Sequence, residues 1–134
     1  SKTFFDKRAV LHLLRDYTVF YRNDDALRKF VQIVSSHLRE QDIFARTGGD
    51  EFRLLLPGTP LAGAIVLAEK IRGEVNRVGL HAPNGSATLS MSAGLCRCQQ
   101  DDAGIDDIVR RADAALYEAK AAGRNAVRAH PGGQ

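Results

Sequence analysis

Cysteine is nearly absent: Cys96 and Cys98 are the only two in 134 residues. Two thiols alone make no zinc site. Two positions apart on a strand they would share a face, a poor geometry for a disulfide. They read as reduced packing residues of a cytoplasmic domain. Long apolar runs are missing too. No stretch approaches the roughly 20 residues that a membrane helix needs, so no membrane contact is expected of this chain. Charge of one sign is scarce: 19 Lys and Arg against 16 Asp and Glu leave +3. There is no basic run of the kind that forms a nucleic-acid tail and no basic or aromatic strand face, so no nucleic-acid partner is expected. The mild positive excess suits a phosphate-rich ligand. The opening Ser1-Lys2-Thr3-Phe4-Phe5-Asp6 has no signal-peptide pattern, and the missing initiator Met is expected of a piece cut from a longer protein. Internal repeats and linkers are likewise lacking.

What remains is an ordinary globular composition, 44% apolar and 26% charged, in a chain long enough for one core. One domain over 1–134 is expected, with His130 to Gln134 as a frayed tail. Phe5, Ala9, Val10, Leu13 and Leu14 fall at helical spacing within Phe4 to Leu14. Tyr17-Thr18-Val19-Phe20-Tyr21 is β-branched and aromatic and reads as a strand. Asp24 can cap a helix whose apolar stripe is Leu27, Phe30, Val31, Val34 and Leu38. Thr59-Pro60 opens a long amphipathic helix through Leu61, Ala64, Ile65, Ala68, Ile71, Val75 and Val78. His81 to Ser86 reads as a loop around Asn84-Gly85, Thr88 to Cys96 as an alternating strand, and Ile108 to Ala119 as a last helix stopped by Gly123. Asn125 to Ala129 can form a short edge strand. Strands alternating with helices predict an α/β sandwich, helices packed on a mixed sheet.

Between the second and third helical patterns lies Arg46-Thr47-Gly48-Gly49-Asp50-Glu51-Phe52. Asp42-Ile43-Phe44-Ala45 before it and Phe52-Arg53-Leu54-Leu55-Leu56 after it read as strands, the second ended by Pro57-Gly58. Two strands around a Gly-containing turn predict a β-hairpin. Glycines there permit positive φ and let a ligand approach the backbone. Adjacent carboxylates at the tip repel one another unless a cation lies between them. Backbone access plus hard oxygen ligands suits a magnesium-bound nucleotide. Arg46 and Arg53 on the flanking strands could pair across the hairpin.

The motif and its surroundings resemble the GGDEF family of diguanylate cyclases, which condense two GTP molecules into cyclic di-GMP and two pyrophosphates. The resemblance implies a largely antiparallel sheet akin to polymerase palms and nucleotidyl cyclases. It implies Mg²⁺ (or Mn²⁺) on Asp50 and Glu51, both required for catalysis, with Gly48 and Gly49 against the nucleotide and Asp24 on guanine. Leu116-Tyr117-Glu118-Ala119-Lys120-Ala121-Ala122-Gly123-Arg124-Asn125 is similar to the family's closing motif, so Lys120 and Arg124 are expected on the β- and γ-phosphates. Taken alone, two cations at a helix C-terminus also simply offset its dipole. Arg39-Glu40-Gln41-Asp42 matches the family's inhibitory product site, with Arg39 and Asp42 holding cyclic di-GMP and Lys70 assisting from a second molecule. Activity then requires a face-to-face homodimer, in a cytoplasmic domain whose full-length protein can carry a membrane anchor elsewhere. The match breaks after Tyr21. Only Arg22-Asn23 precedes Asp24-Asp25, and the family's metal-binding Asp, a phosphate Lys and a guanine-binding Asn have no counterpart. The alternative expectation is a degenerate, non-catalytic GGDEF module that binds GTP or cyclic di-GMP and signals through a partner.

Overall fold

A computed structural model describes residues 8–17, 24–78 and 89–131, and for 8–17, 24 and 25 the backbone alone. Its elements run β1 (Arg8–Tyr17), α1 (Asp24–Ser36), β2 (Ile43–Gly48), β3 (Glu51–Pro57), α2 (Leu61–Val78), β4 (Leu89–Arg97), α3 (Ile105–Ala121) and β5 (Val127–Ala129). The five strands form one sheet in the order β2-β3-β1-β4-β5. All pairs are antiparallel except β4–β5, which is parallel and puts β5 on the edge. This is the expected mixed, mainly antiparallel sheet.

Alternation along the strands sorts the core into two layers. From β3, Phe52, Leu54 and Leu56 point to one face, joined by Leu89, Met91, Ala93 and Leu95 of β4. Phe30, Ile33 and Val34 of α1 and Ala64, Ala68, Ile71 and Val75 of α2 close over them. The Phe52 ring stacks on Phe44 at 5.4 Å and tilts against Phe30 at 5.0 Å. On the opposite face Cys96 and Cys98 pack with Ile108 and Ala112 of α3. Both thiols are free and buried. Burial pushes the Cys96 thiol up to about 11, so it stays protonated, and it donates to the Ile108 carbonyl at 3.1 Å. Among the described residues no helix is long and apolar enough to cross a membrane.

One expectation fails. Arg8 to Leu14 lie in a strand, not a helix, and of the strand expected over Tyr17 to Tyr21 only Tyr17, in β1, is described. β1 is the central strand, paired with β3 on one side and β4 on the other. A strand between two helix-covered faces needs no polar alternation, so a run such as Ala9-Val10-Leu11 also fits a period of 3.6. Phe4 to Lys7, Thr18 to Tyr21, the His81–Ser86 loop and the last three residues of the tail lie outside the described residues.

The loop between β4 and α3 is stapled by an ion pair. Arg111 Nη1 meets Asp102 Oδ1 at 2.6 Å, and both side chains are largely buried, 15% and 7% exposed. Arg111 Nη2 also donates to the Arg97 carbonyl at 2.7 Å, and the Gln99 amide donates to Asp102 at 2.7 Å. The Arg111 guanidinium, followed by the Gln99 amide, holds the Asp102 carboxyl below the usual carboxylate range. Asp102→Asn leaves a buried cation uncompensated and is expected to cost about 3 kcal/mol at pH 7. A carboxyl with a depressed folded pKa contributes fully above its unfolded value, roughly pH 4, and loses that contribution as pH falls through the folded value. Urea unfolding at pH 7 and pH 3 should therefore show the gap between wild type and variant narrowing in acid.

Candidate active site

The hairpin forms where expected. β2 and β3 pair from Ile43↔Leu55 to Gly48↔Glu51, with a register shift between Arg46 and Gly48 that leaves Thr47 as the extra residue. Such bulges re-aim side chains near hairpin ends. Arg46 turns to the backbone: its Nε donates to the Gly49 carbonyl at 2.9 Å and so braces the turn. Arg53 lines an apolar groove of about 100 Å³ with Ile43, Leu55 and Ile105, where its Nε is buried without a hydrogen-bond partner.

The tip glycines are not there for backbone conformation. Among described glycines only Gly58 and Gly123 have positive φ. A Cβ on Gly49 would meet nothing within 4 Å, and one on Gly48 only Glu51 Cβ at 3.9 Å. The fold would tolerate alanine at both positions, and the backbone at the tip stands open on the side a side chain would occupy. Asp50 and Glu51 beside it are half-buried. Among the described residues no group of three or more His, Cys, Asp or Glu could hold a metal. Magnesium is commonly held by one or two carboxylates plus substrate phosphates, so the two tip acids fit an ion shared with a bound triphosphate.

The register carries this end of the hairpin across the sheet. Glu51 pairs with Leu14 and Leu14 with Ser92, two strand spacings or about 10 Å away. The buried Ser92 hydroxyl accepts the Asn125 amide at 3.1 Å, so the turn after α3 lies at the same end of the sheet as the tip. That turn is a Schellman closure. The Arg124 amide reaches back to the Ala119 carbonyl and the Gly123 amide to that of Lys120, with Gly123 at φ 109°. Lys120 is half-buried in the last turn of α3 and Arg124 is exposed just beyond it. Asp24 is the first residue of α1, and the last described residue of the preceding strand, Tyr17, lies at this same end of the sheet.

Arg39 and Asp42 lie at the other end of the hairpin. Arg39 Nη2 contacts Asp42 Oδ1 at 3.1 Å, the Pro57 carbonyl at 2.8 Å and Thr59 Oγ1 at 2.7 Å, latching the entry of β2 to the exit of β3. The Asp42 side chain is nearly buried. The six residues of β2 put this pair about 20 Å from the tip. Lys70 is exposed ten residues past Pro60 in the α2 segment, about 15 Å along the helix from the Arg39 latch. Sequence reading missed the latch partners Pro57 and Thr59 and the contacts of Asn125. For Asn125 a signal existed: Gly-Arg-Asn after a helix ends in a residue that tolerates left-handed backbone.

A mainly antiparallel sheet with helices packed on it, whose hairpin tip offers open backbone and two acids, defines a palm-like domain. The family described as "Diguanylate cyclase, GGDEF domain" matches residues 21–126, and the chain belongs to it. Diguanylate cyclase DgcM of Escherichia coli is 39% identical over 106 residues, covering 79% of this chain and 25% of the relative. The chain thus spans about a quarter of that relative's length. The active GGEEF domain of a diguanylate cyclase from Vibrio cholerae superposes with a TM-score of 0.79 at 26% identity, over 93% of this chain and 85% of that one. The GGDEF domain of DgcB from Caulobacter crescentus, solved with c-di-GMP, shares the fold with a TM-score of 0.79 at 24% identity, over 93% and 77%.

Proposed function

We propose that this chain is the catalytic domain of a diguanylate cyclase that converts two GTP into cyclic di-GMP and two pyrophosphates as a face-to-face homodimer. The observation that carries the reading is the open backbone at Gly48 and Gly49 directly beside Asp50 and Glu51. Glycine at two positions where the fold has room for a side chain is explained by a ligand that needs that room. Each subunit presents one GTP, its guanine toward Asp24, its triphosphate over the tip, and its β- and γ-phosphates against Lys120 and Arg124. The 3′-oxygen of each nucleotide attacks the α-phosphorus of the other. The bond to the β-phosphate breaks, pyrophosphate leaves, and the hydroxyl proton is released. Asp50 and Glu51 would hold the divalent ion, which when bound would offset charge on the phosphate oxygens. Lys120 and Arg124 neutralise the leaving pyrophosphate, Arg as a planar fork and Lys as a point charge. Two identical half-sites closing one two-fold ring require C2 symmetry.

The test is incubation with GTP and Mg²⁺, or Mn²⁺, and chromatography of the products. Cyclic di-GMP with two equivalents of pyrophosphate is the expected result. GTP binding without turnover would move the chain to the non-catalytic reading, and absence of calorimetric heat from both GTP with the ion and cyclic di-GMP would defeat both.

Product control is proposed at Arg39 and Asp42, with Lys70 supplied by a second molecule. Far from the tip, this site can fill without blocking a GTP half-site. Arg39→Ala is expected to raise the plateau of cyclic di-GMP several-fold and leave the initial rate unchanged, read from full progress curves.

A further inference from the structure

We propose that Arg72 is a positioning residue for the phosphate-binding cations: from α2 it clamps Asn125 and thereby fixes Arg124 beside Lys120. The inference rests on the proposed role of Arg124 at the triphosphate. Its starting point is backbone conformation. Gly123, Arg124 and Asn125 have φ of 109°, 64° and 48°, three successive left-handed residues. A Schellman closure requires that conformation only at the glycine. Asparagine tolerates the left-handed region, but arginine pays for it sterically. Helix termination therefore leaves Arg124 unexplained, and strained backbone of this kind persists only where its surroundings over-determine it.

The surroundings do so through Asn125. Its amide donates to Ser92 Oγ at 3.1 Å, its Oδ1 accepts from Arg72 Nη1 at 3.1 Å, and its Nδ2 donates to Asn76 Oδ1 at 3.4 Å. Arg72 is itself held: Nε and Nη2 fork onto the two Glu69 oxygens at 3.3 and 3.2 Å. One residue of the turn is thus tied to a buried hydroxyl of β4 and to two side chains of α2, one helical turn apart. The next residue on, Ala126, enters the sheet through its carbonyl to the Ala93 amide at 2.9 Å. Arg124 is fixed between the helix end and this clamp, while its exposed side chain lies at the tip end of the sheet. Released from Arg72, the turn can relax to ordinary negative φ and carry the guanidinium away from Lys120.

The test compares GTP and GMP binding in Mg²⁺ buffer by calorimetry, because GMP lacks the phosphates Arg124 would hold. Arg72→Ala is expected to weaken GTP about tenfold and GMP not at all. In an Arg124→Ala background, adding Arg72→Ala should cost nothing further. Asn125→Gly keeps the left-handed backbone accessible and removes both side-chain bonds, and should give the same selective loss. If Arg72→Ala weakens GTP and GMP alike, or its effect adds fully to that of Arg124→Ala, the residue is merely structural and the inference is overturned. If Arg124→Ala weakens GTP while neither clamp variant does, the clamp alone is wrong. If Arg124→Ala leaves GTP binding unchanged, the reading of the phosphate site falls and takes the clamp with it.

Discussion

Gly94→Ala is expected to destabilise the domain by about 3 kcal/mol or more, a large fraction of the roughly 5–15 kcal/mol that holds a domain of usual stability. A Cβ at this position in β4 would lie 2.2 Å from the Leu116 amide nitrogen, 2.3 Å from the Ala112 carbonyl oxygen and 2.7 Å from Leu116 Cα. These are backbone atoms of α3, so no rotamer change relieves the clash and the helix itself must lift from the sheet. Lifting it opens the layer around Cys96, Cys98, Ile108 and Ala112. It also displaces Lys120 and Arg124 at the end of the same helix, so any folded remainder should bind GTP poorly. Urea unfolding gives the measurement, with Gly73→Ala on α2 as the control. A Cβ there meets nothing within 4 Å, and a helical Gly→Ala change should be neutral or mildly stabilising. A Gly94→Ala midpoint equal to wild type would contradict the packing of α3 against β4.

Features written in local chemistry are legible in the sequence. The α2 pattern from Leu61 to Val78 matches the observed helix because a surface helix must show one apolar stripe, and the Pro57-Gly58-Thr59-Pro60 punctuation marks its start. The hairpin is legible for the same reason, since its strands flank a two-glycine turn. The first strand is not. Its identity is set by pairing with β3 and β4, partners some forty and eighty residues away, and a strand central in its sheet need not carry a polar alternation in its sequence. The site shows the same division. Asp50, Glu51, Lys120 and Arg124 can be named from contiguous motifs, whereas the bond from Arg72 to Asn125 joins residues 53 apart. The glycines of the motif mislead in one respect, because their presence suggests a turn that needs positive φ. The hairpin turns without it, which moves the explanation for Gly48 and Gly49 from folding to binding.

That shift yields the second large effect. Gly49→Ala is expected to leave stability within about 0.5 kcal/mol of wild type and to lower kcat/KM for GTP by about a hundredfold or more. The first half follows from the empty space around the position, where an added methyl group touches no protein atom. The second follows if that space is where phosphate oxygens approach the backbone, because displacing a reacting group by about 1 Å costs on the order of 10²-fold. A methyl group at the tip would push the triphosphate outward from Asp50 and Glu51 by about that distance. The two glycine substitutions therefore separate fold from function: one methyl group in the β4–α3 contact should remove a large part of the stability, and one at the tip should slow the reaction in an intact domain. The checks are a urea melt and initial rates of cyclic di-GMP formation for each variant. A Gly49→Ala protein that turns over GTP at the wild-type rate would show that the tip is not where the nucleotide sits. The two acids would then be solvated residues of an ordinary hairpin.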